Sequence, residues 1–234
     1  MILSNTTESS QKAAEIVAAG GLIAYRTDTF YGLGADPLNR KAVTAIKTLK
    51  GREETKPILL LISDVDQADR FVKNRSKAYA TLAECLWPGP LTIVGIAREA
   101  LPEELTAGTA SIGVRLPADE AVRSFLRACG GALTATSANP SGSAPARTAE
   151  QVADYFPAGI DLIIDAGEVT GTLPSTVVDA REGQPFLIRE GAITQSELES
   201  HCQHLEFRSE DSQKLKATTD AQLPKQRQEH RCDK

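Results

Sequence analysis

Three cations lie within seven residues in one short stretch of the chain, at Lys50, Arg52 and Lys56. The stretch follows a predicted helix and precedes a predicted buried strand, so these charges are expected at the edge of a sheet. Arginine offers phosphate oxygens a planar fork and lysine offers a point charge, and both bind more strongly where water is excluded. The stretch therefore indicates either a seat for a polyphosphate or a solvated loop, which is the commoner reason for a run of charges.

A second polar segment, residues 136–142 with the sequence TSANPSG, follows another predicted buried strand. Its hydroxyl and amide groups could bind phosphate or ribose oxygens, because ligands of open α/β sheets bind at the ends of strands. A run of Ser, Asn, Pro and Gly also forms ordinary turns. The residues alone leave both interpretations open, and the segment is expected to close over the cationic stretch.

A third group consists of the polar loop at residues 27–29 and Arg115, which ends another predicted strand. An arginine together with a threonine hydroxyl could hold an α-amino acid by its carboxylate. The alternative for Arg115 is a surface ion pair with Asp119 or Glu120, worth about 0–1 kcal/mol. Further polar groups in strand contexts are Ser175, Thr176 and Arg189.

The distribution of histidine limits the chemistry that these groups could perform. His201, His204 and His230 all lie in the last 34 residues, so the predicted folded domain has none to offer before residue 201. Ser-His and Cys-His nucleophiles and histidine-ligated metal sites are therefore not expected. A net charge of −5 and a pI near 5.4 argue against broad binding to nucleic acid, although a local basic cleft remains compatible with them.

Composition also sets the expected compartment. No run of about 18 apolar residues is present to predict a membrane span, and the first residues do not resemble a secretory signal. The cysteines at 85, 129, 202 and 232 are far apart, which favours reduced thiols over a zinc site. We expect a cytoplasmic protein.

Helical and strand patterns alternate along the chain, which predicts an α/β fold. The last three strands follow one another without room for helices, so the sheet is expected to be mixed. A short helix capped by Ser63 or Asp64 is expected to end at Phe71. Helices are further predicted at 9–19, 40–49, 77–86, 119–128, 148–155 and 194–205, and strands at 22–25, 57–62, 91–96, 111–116, 132–135, 162–165, 176–179 and 186–189.

The composition changes at Arg208, after which large apolar residues are nearly absent and charges of both signs are frequent. Such a segment cannot bury enough apolar surface to offset the entropy of ordering. We therefore predict one folded domain over residues 1–207 and a disordered polar tail over residues 208–234.

Taken together, seven motifs in order resemble those of the YrdC-type threonylcarbamoyl-adenylate synthases. They read RTDTFYGLG at 26–34, KxRxxxKP at 50–57, WPGPLT at 87–92, VRLP at 114–117, SANPSG at 137–142, PSTVVD at 174–179 and IREG at 188–191. The resemblance covers roughly residues 9 to 195. It corresponds to the short form of the family, without the separate C-terminal domain that some members carry.

The resemblance implies an open twisted mixed sheet with flanking helices and a basic concave face. It also implies synthesis of threonylcarbamoyl-AMP and pyrophosphate from L-threonine, bicarbonate and ATP, for threonylcarbamoyladenosine modification of tRNA. Mg²⁺ would be carried by ATP, since no Asp/Glu cage is evident in the sequence. A downstream threonylcarbamoyl-transferase machinery would receive the product, and direct contact with tRNA is possible.

The same resemblance assigns roles residue by residue. The catalytic cluster would be Lys50, Arg52, Ser137 and Asn139; ATP would be contacted by Arg52, Lys56, Ser111, Ser137, Pro145 and Arg189; threonine would be contacted by Thr29, Arg115, Ala135 and Ser175. Ala135 could act only through its backbone. The sequence departs from the family pattern at three positions. Asp28 stands where the family often has Glu, and Glu53 stands where it often has Pro. Leu61 stands where some members have a histidine near the threonine.

The implied chemistry needs positioning and charge neutralisation more than a protein base. Two other functions remain open at this point. One is a non-catalytic module that binds structured RNA on a basic concave face. The other is a carbamoyl-transfer domain of hydrogenase maturation or antibiotic biosynthesis, which usually forms part of a larger chain.

Overall fold

The computed structural model describes residues 1–51, 56–171 and 173–208. Arg52 of the predicted catalytic cluster lies outside these residues, as does Glu53. The predicted tail also lies outside them, except for Arg208. Within the described ranges the chain forms eleven strands, seven α-helices and one 3-10 helix. None of the helices in these ranges is long and apolar enough to cross a lipid bilayer.

The strands are divided between two mixed sheets, and no strand belongs to both sheets. The first has the order β1-β9-β2-β3-β8 and the second β11-β10-β5-β6-β4-β7. Their bounds are β1 Ile2–Ser4, β2 Ile23–Arg26, β3 Tyr31–Gly34, β4 Leu60–Ile62, β5 Leu91–Ile96, β6 Ser111–Arg115, β7 Ala132–Thr134, β8 Thr136–Ser137, β9 Leu162–Asp165, β10 Thr176–Asp179 and β11 Phe186–Arg189.

Six of the seven α-helices in the described residues begin after a side chain that caps a backbone N–H group of the first turn. Thr6, Asn39, Ser76, Asp119, Thr148 and Thr194 each accept a hydrogen bond from a backbone N–H of the first turn that follows. The helices are α1 Thr7–Ala18, α2 Arg40–Lys50, α3 Lys77–Leu86, α4 Glu103–Thr106, α5 Glu120–Ala128, α6 Ala149–Tyr155 and α7 Gln195–His201; the 3-10 helix spans Val65–Arg70.

The two sheets meet where β7 of one passes into β8 of the other, with Ala135 between them. Thr134 holds this junction, because its hydroxyl donates to Leu33 O (3.1 Å) and accepts from the N–H of Ala35 (2.9 Å). The N–H of Ala135 donates to Leu59 O at 2.7 Å. The junction therefore ties β3 and the approach to β4 to one short segment.

The core consists mainly of the apolar faces that the helices lay on the sheets. Helix α2 buries Ala42, Val43 and Ile46, and the ring of Phe125 on α5 stacks on Tyr25 of β2 at a centroid distance of 5.5 Å. Helix α2 ends at Gly51, whose φ of +56° is left-handed and suits glycine. Lys50, the last residue of α2, lies beside the sheet, since its ammonium donates to Ser137 O of β8.

The predicted α/β class with a mixed arrangement is confirmed, but the strands form two sheets instead of one. Helix 77–86 and the last three strands have the predicted bounds. The helix predicted to end at Phe71 is a 3-10 helix, and Asp64 makes no side-chain cap bond there. The predicted strand 57–62 is shorter, and the predicted helix 194–205 ends at His201.

Candidate active site

A cavity of about 410 Å³ opens near the junction of the two sheets. This volume lies within the range of small-molecule sites in proteins. Its wall combines apolar strand residues with hydroxyl groups and two arginines. The lining residues are Thr27, Thr29, Phe30, Tyr31, Gly32, Leu59, Leu60, Leu61, Thr92, Arg115, Ala135, Thr136, Ser137, Pro145, Pro174, Ser175 and Arg189.

One side of the wall is the tight connection between β2 and β3. The buried hydroxyl of Thr27 donates to Phe30 O at 2.6 Å and accepts from the N–H groups of Thr29 and Phe30, both at 3.2 Å. Its distance to the hydroxyl oxygen of Thr29 is 3.1 Å. This network fixes the loop, so that the Thr29 side chain has a defined place on the wall.

Arg115 lies at the end of β6 and is almost completely buried. Its Nη1 and Nη2 atoms donate to the two carboxylate oxygens of Asp28, at 3.0 and 2.8 Å. The surface pair with Asp119 or Glu120 that the sequence left open is not the arrangement found. Asp119 instead accepts from Arg26 at 3.3 Å, and Glu120 binds Arg123 and Arg127.

Another part of the wall is built from β5, the residue before β10 and the end of β11. The hydroxyl groups of Thr92 and Ser175 are 2.9 Å apart and both residues are buried. Arg189 donates to Ser175 O at 2.8 Å, and its partial burial lowers its pKa from the ordinary value. Because arginine keeps its charge in proteins, Arg189 contributes a positive charge beside the hydroxyl pair.

Lys50 and the segment 137–142 meet, as the sequence predicts. The buried Lys50 ammonium donates to the backbone carbonyls of Ser137 and Asn139, the latter at 2.8 Å. The N–H of Ser141 donates to Lys50 O at 3.0 Å. The Asn139 amide nitrogen donates to Pro140 O and Ser143 O, both at 2.8 Å. The loop is therefore held both by its own side chain and by Lys50 of α2.

The predicted site residues therefore fall into two groups. Seven of them line the cavity: Thr29, Arg115, Ala135, Ser137, Pro145, Ser175 and Arg189. Lys50 and Asn139 lie behind the Ser137 wall, Lys56 is exposed beside the undescribed residues 52–55, and Arg52 is among those. Ser111 lies at the far end of β6 from Arg115, roughly 13 Å along the strand, where its hydroxyl is 2.8 Å from that of Thr109.

Sequence reasoning gave no site role to Thr92 or to the side chain of Asp28. Thr92 ends one of the matched motifs, and Asp28 belongs to the polar loop at residues 27–29 and departs from the family pattern. Both signals were present in the sequence, but the partners Ser175 and Arg115 are 83 and 87 residues away. Only the folded arrangement identifies such partners.

The fold and the cavity define an α/β protein with a small-molecule site between two sheets, suited to ligands that carry both anionic and hydroxyl groups. A family model named Sua5_yciO_yrdC, with the description "Telomere recombination", matches residues 15–191. The chain belongs to this family.

Similar proteins are found among curated proteins and among solved structures. A threonylcarbamoyl-AMP synthase of Idiomarina loihiensis is 35% identical over 179 residues, which cover 75% of this chain and 95% of that protein. One of Pyrococcus abyssi is 36% identical over 187 residues, or 80% of this chain and 55% of that one. The crystal structure of P. abyssi Sua5 complexed with L-threonine is 33% identical with a TM-score of 0.81, covering 89% of this chain and 61% of that chain.

The chain thus spans about half the length of the Pyrococcus relative and nearly all of the Idiomarina one. Relatives of both lengths carry the name of the same enzyme.

Proposed function

We propose that this protein is a threonylcarbamoyl-AMP synthase, which joins L-threonine, bicarbonate and ATP into threonylcarbamoyl-AMP and pyrophosphate. The observation that carries the proposal is one cavity whose wall contains all four predicted threonine-site residues and three of the predicted ATP contacts. These residues come from separate parts of the sequence, between residues 29 and 189. A turn or surface loop with the same composition would not require them to converge.

Threonine is assigned to the part of the cavity between Arg115, Thr29 and Ser175. The free N–H groups of the Arg115 guanidinium would hold the α-carboxylate, since arginine binds carboxylates through paired N–H donors. The hydroxyl groups of Thr29 and Ser175 are suited to a polar substrate side chain or amine. Ala135 would contribute backbone groups only.

ATP is assigned to the side of Ser137, Pro145 and Arg189. Arg189 would bind phosphate or ribose oxygens, and Lys56 and Arg52 would extend the positive charge toward the triphosphate. Lys50 would act with Asn139 by holding the 137–142 segment in place. The predicted ATP contact of Ser111 stays a prediction, and its place at the far end of β6 lends it no support.

The reaction proceeds in two steps that need no protein nucleophile. The neutral threonine nitrogen attacks the carbon of bicarbonate or CO₂ and forms a carbamate. The proton from nitrogen leaves as part of the lost water when bicarbonate is the donor, and passes to solvent when CO₂ is the donor. A carbamate oxygen then attacks the α-phosphorus of ATP, and pyrophosphate leaves. The chain's contribution is alignment and neutralisation of negative charge, which are the main requirements of phosphoryl and nucleotidyl transfer.

Mg²⁺ is expected to arrive bound to the triphosphate, because the described wall offers hydroxyl groups and arginines rather than carboxylates. The product, a reactive mixed anhydride, suits prompt transfer to tRNA adenosine by a second enzyme. We expect the reaction to take place in the cytoplasm, on the sequence grounds given above.

Pyrophosphate release tests the proposal. We expect release from ATP that requires both L-threonine and bicarbonate, with serine and valine as poor substitutes for threonine. Release that is independent of bicarbonate, or no release at all, would contradict it. Retention of tRNA on a gel without any such release would instead favour the RNA-binding module.

A further inference from the structure

We propose that Asp28 is a positioning residue, which fixes the Arg115 guanidinium so that its free edge receives the α-carboxylate of the amino-acid substrate. This inference rests on the proposed function and adds a residue to the amino-acid subsite. It assigns Asp28 no contact with the substrate.

The pair is bidentate and largely removed from water. The two N–H···O distances are 3.0 and 2.8 Å, and the side chains are 5% and 19% exposed for Arg115 and Asp28, respectively. Paired bonds of this kind fix both the direction and the plane of a guanidinium. Arg115 lines the cavity, whereas Asp28 is not among the wall residues in the described part of the chain.

The donors of Arg115 can be counted. A guanidinium has five N–H groups, and Asp28 takes one from Nη1 and one from Nη2. The Nε–H and one outer N–H on each Nη remain. The Nε–H and the outer N–H of the adjacent Nη form a second fork, which fits a second carboxylate. Asp28 therefore prevents rotation of the Arg115 guanidinium and leaves its second fork available for a substrate carboxylate.

The backbone around Asp28 is itself held in place. The flanking residues Thr27 and Thr29 belong to the hydrogen-bond network of the β2–β3 connection. Gly171 packs against the same loop so closely that an added Cβ would lie 3.0 Å from Asp28 O. The loop that carries the Asp28 carboxylate is therefore fixed by its own contacts, and a positioning residue requires such support.

An effect of charge alone and a loss of positioning predict opposite changes in the KM for threonine in Asp28→Asn. Removal of the negative charge would leave Arg115 more attractive to a carboxylate, so an effect of charge alone would lower the KM for threonine. Loss of a fixed orientation would raise it, because misplacement of a binding group by about 1 Å can cost up to roughly a hundredfold.

The test compares Asp28→Asn and Asp28→Glu with the wild-type enzyme in the pyrophosphate assay. We expect Asp28→Asn to raise the KM for threonine about 10- to 100-fold, with kcat and the KM for ATP within about twofold. Asp28→Glu, which keeps the carboxylate, is expected to restore most of the affinity. Asp69→Asn, which breaks an exposed pair with Arg75, is the matched control and should change neither constant.

An unchanged or lowered KM for threonine in Asp28→Asn would overturn the inference, as would a loss confined to kcat. If Asp28→Asn does not fold, Asp28→Ala is measured in the same way, with the same two results deciding. A wild-type enzyme without threonine- and bicarbonate-dependent activity would overturn the proposed function instead. The two failures are therefore distinguishable.

Discussion

At the scale of single residues, Lys50 shows how the folded structure changes the meaning of a motif. The sequence places this lysine in a cationic stretch, which suggests that it points at a phosphate. In the structure it is 4% exposed and donates to two backbone carbonyls of the 137–142 segment. Its charge lies behind the cavity wall, where it supports the segment from which Ser137 lines the site.

We predict that Lys50→Met lowers both activity and stability. The carbonyls of Ser137 and Asn139 would lose a charged donor, so the free energy of unfolding is expected to fall by roughly 1–3 kcal/mol. The loop would no longer be held, and pyrophosphate release is expected to fall about a hundredfold or more. Thermal unfolding and the three-substrate assay measure the two effects.

Lys41→Met is the matched control, because this lysine is exposed on the same helix. It should leave the melting temperature and turnover unchanged. Turnover of Lys50→Met equal to that of the wild type would contradict the role assigned to Lys50.

Polar groups at strand ends, together with the family resemblance, were sufficient to name seven of the seventeen residues that line the cavity. They were not sufficient to find the pairings. Arg115 could have paired with the nearby Asp119, but that carboxylate binds Arg26 and caps α5 instead. The choice between two acidic partners depends on where β2 and β6 lie in the folded chain, which local sequence does not determine.

At the scale of elements, the turn after β11 determines where Arg189 lies. The buried Thr176 hydroxyl donates to Ile193 O at 2.6 Å and accepts from the N–H groups of Gly191 and Ile193 at 3.0 and 2.9 Å. One side chain of β10 therefore anchors the whole turn, and through it the end of β11.

We predict that Thr176→Val destabilises the protein although valine has the same shape. One buried N–H group, one partly buried N–H group and one buried carbonyl would lose their partner, at a cost of roughly 2–4 kcal/mol in the free energy of unfolding. For a chain of this size, that corresponds to a fall in melting temperature of about 5–15 °C. Differential scanning calorimetry measures it directly.

Thr48→Val serves as the control for that substitution. Its hydroxyl is on the exposed face of α2 and donates to Thr44 O at 3.1 Å. A melting temperature for Thr176→Val as high as that of this control would show that the turn is held by other contacts.

The elements that the sequence predicted well are those with strong local signals. Helix α3 has a serine cap and a continuous apolar face, and the last three strands are compact apolar runs bounded by turns. The short strands β1 and β8 went unpredicted because two or three residues carry no periodicity. Their pairing with β9 and β3 is decided by tertiary contacts.

At the scale of the whole molecule, the chain builds one site from two sheets. The expected single sheet would have placed the polar loops along one edge. The crossing from β7 to β8 instead brings residues 134–137 between the sheets, so that Ala135, Thr136 and Ser137 face the cavity. The order of the motifs in sequence identified the family, but it did not reveal this division.

Arg208, the last described residue, still packs on the domain. Its N–H donates to Pro185 O at 2.8 Å and its guanidinium lies 3.1 Å from a carboxylate oxygen of Glu182. From composition we predict that a chain truncated after Arg208 keeps its melting temperature within a few degrees and its KM values within about twofold. A larger fall in the melting temperature, or a larger change in the KM values, would show that residues 209–234 contribute to the domain.

The most direct measurement follows the carbon of ¹³C-labelled bicarbonate in the adenylate product by mass spectrometry. If the cavity aligns a threonine carbamate with the α-phosphorus of ATP, the adenylate will carry one labelled carbon together with one threonine, and pyrophosphate will form in equal amount. An unlabelled threonyl adenylate, formed by direct attack of the amino-acid carboxylate, would contradict the account, and so would pyrophosphate release without any adenylate.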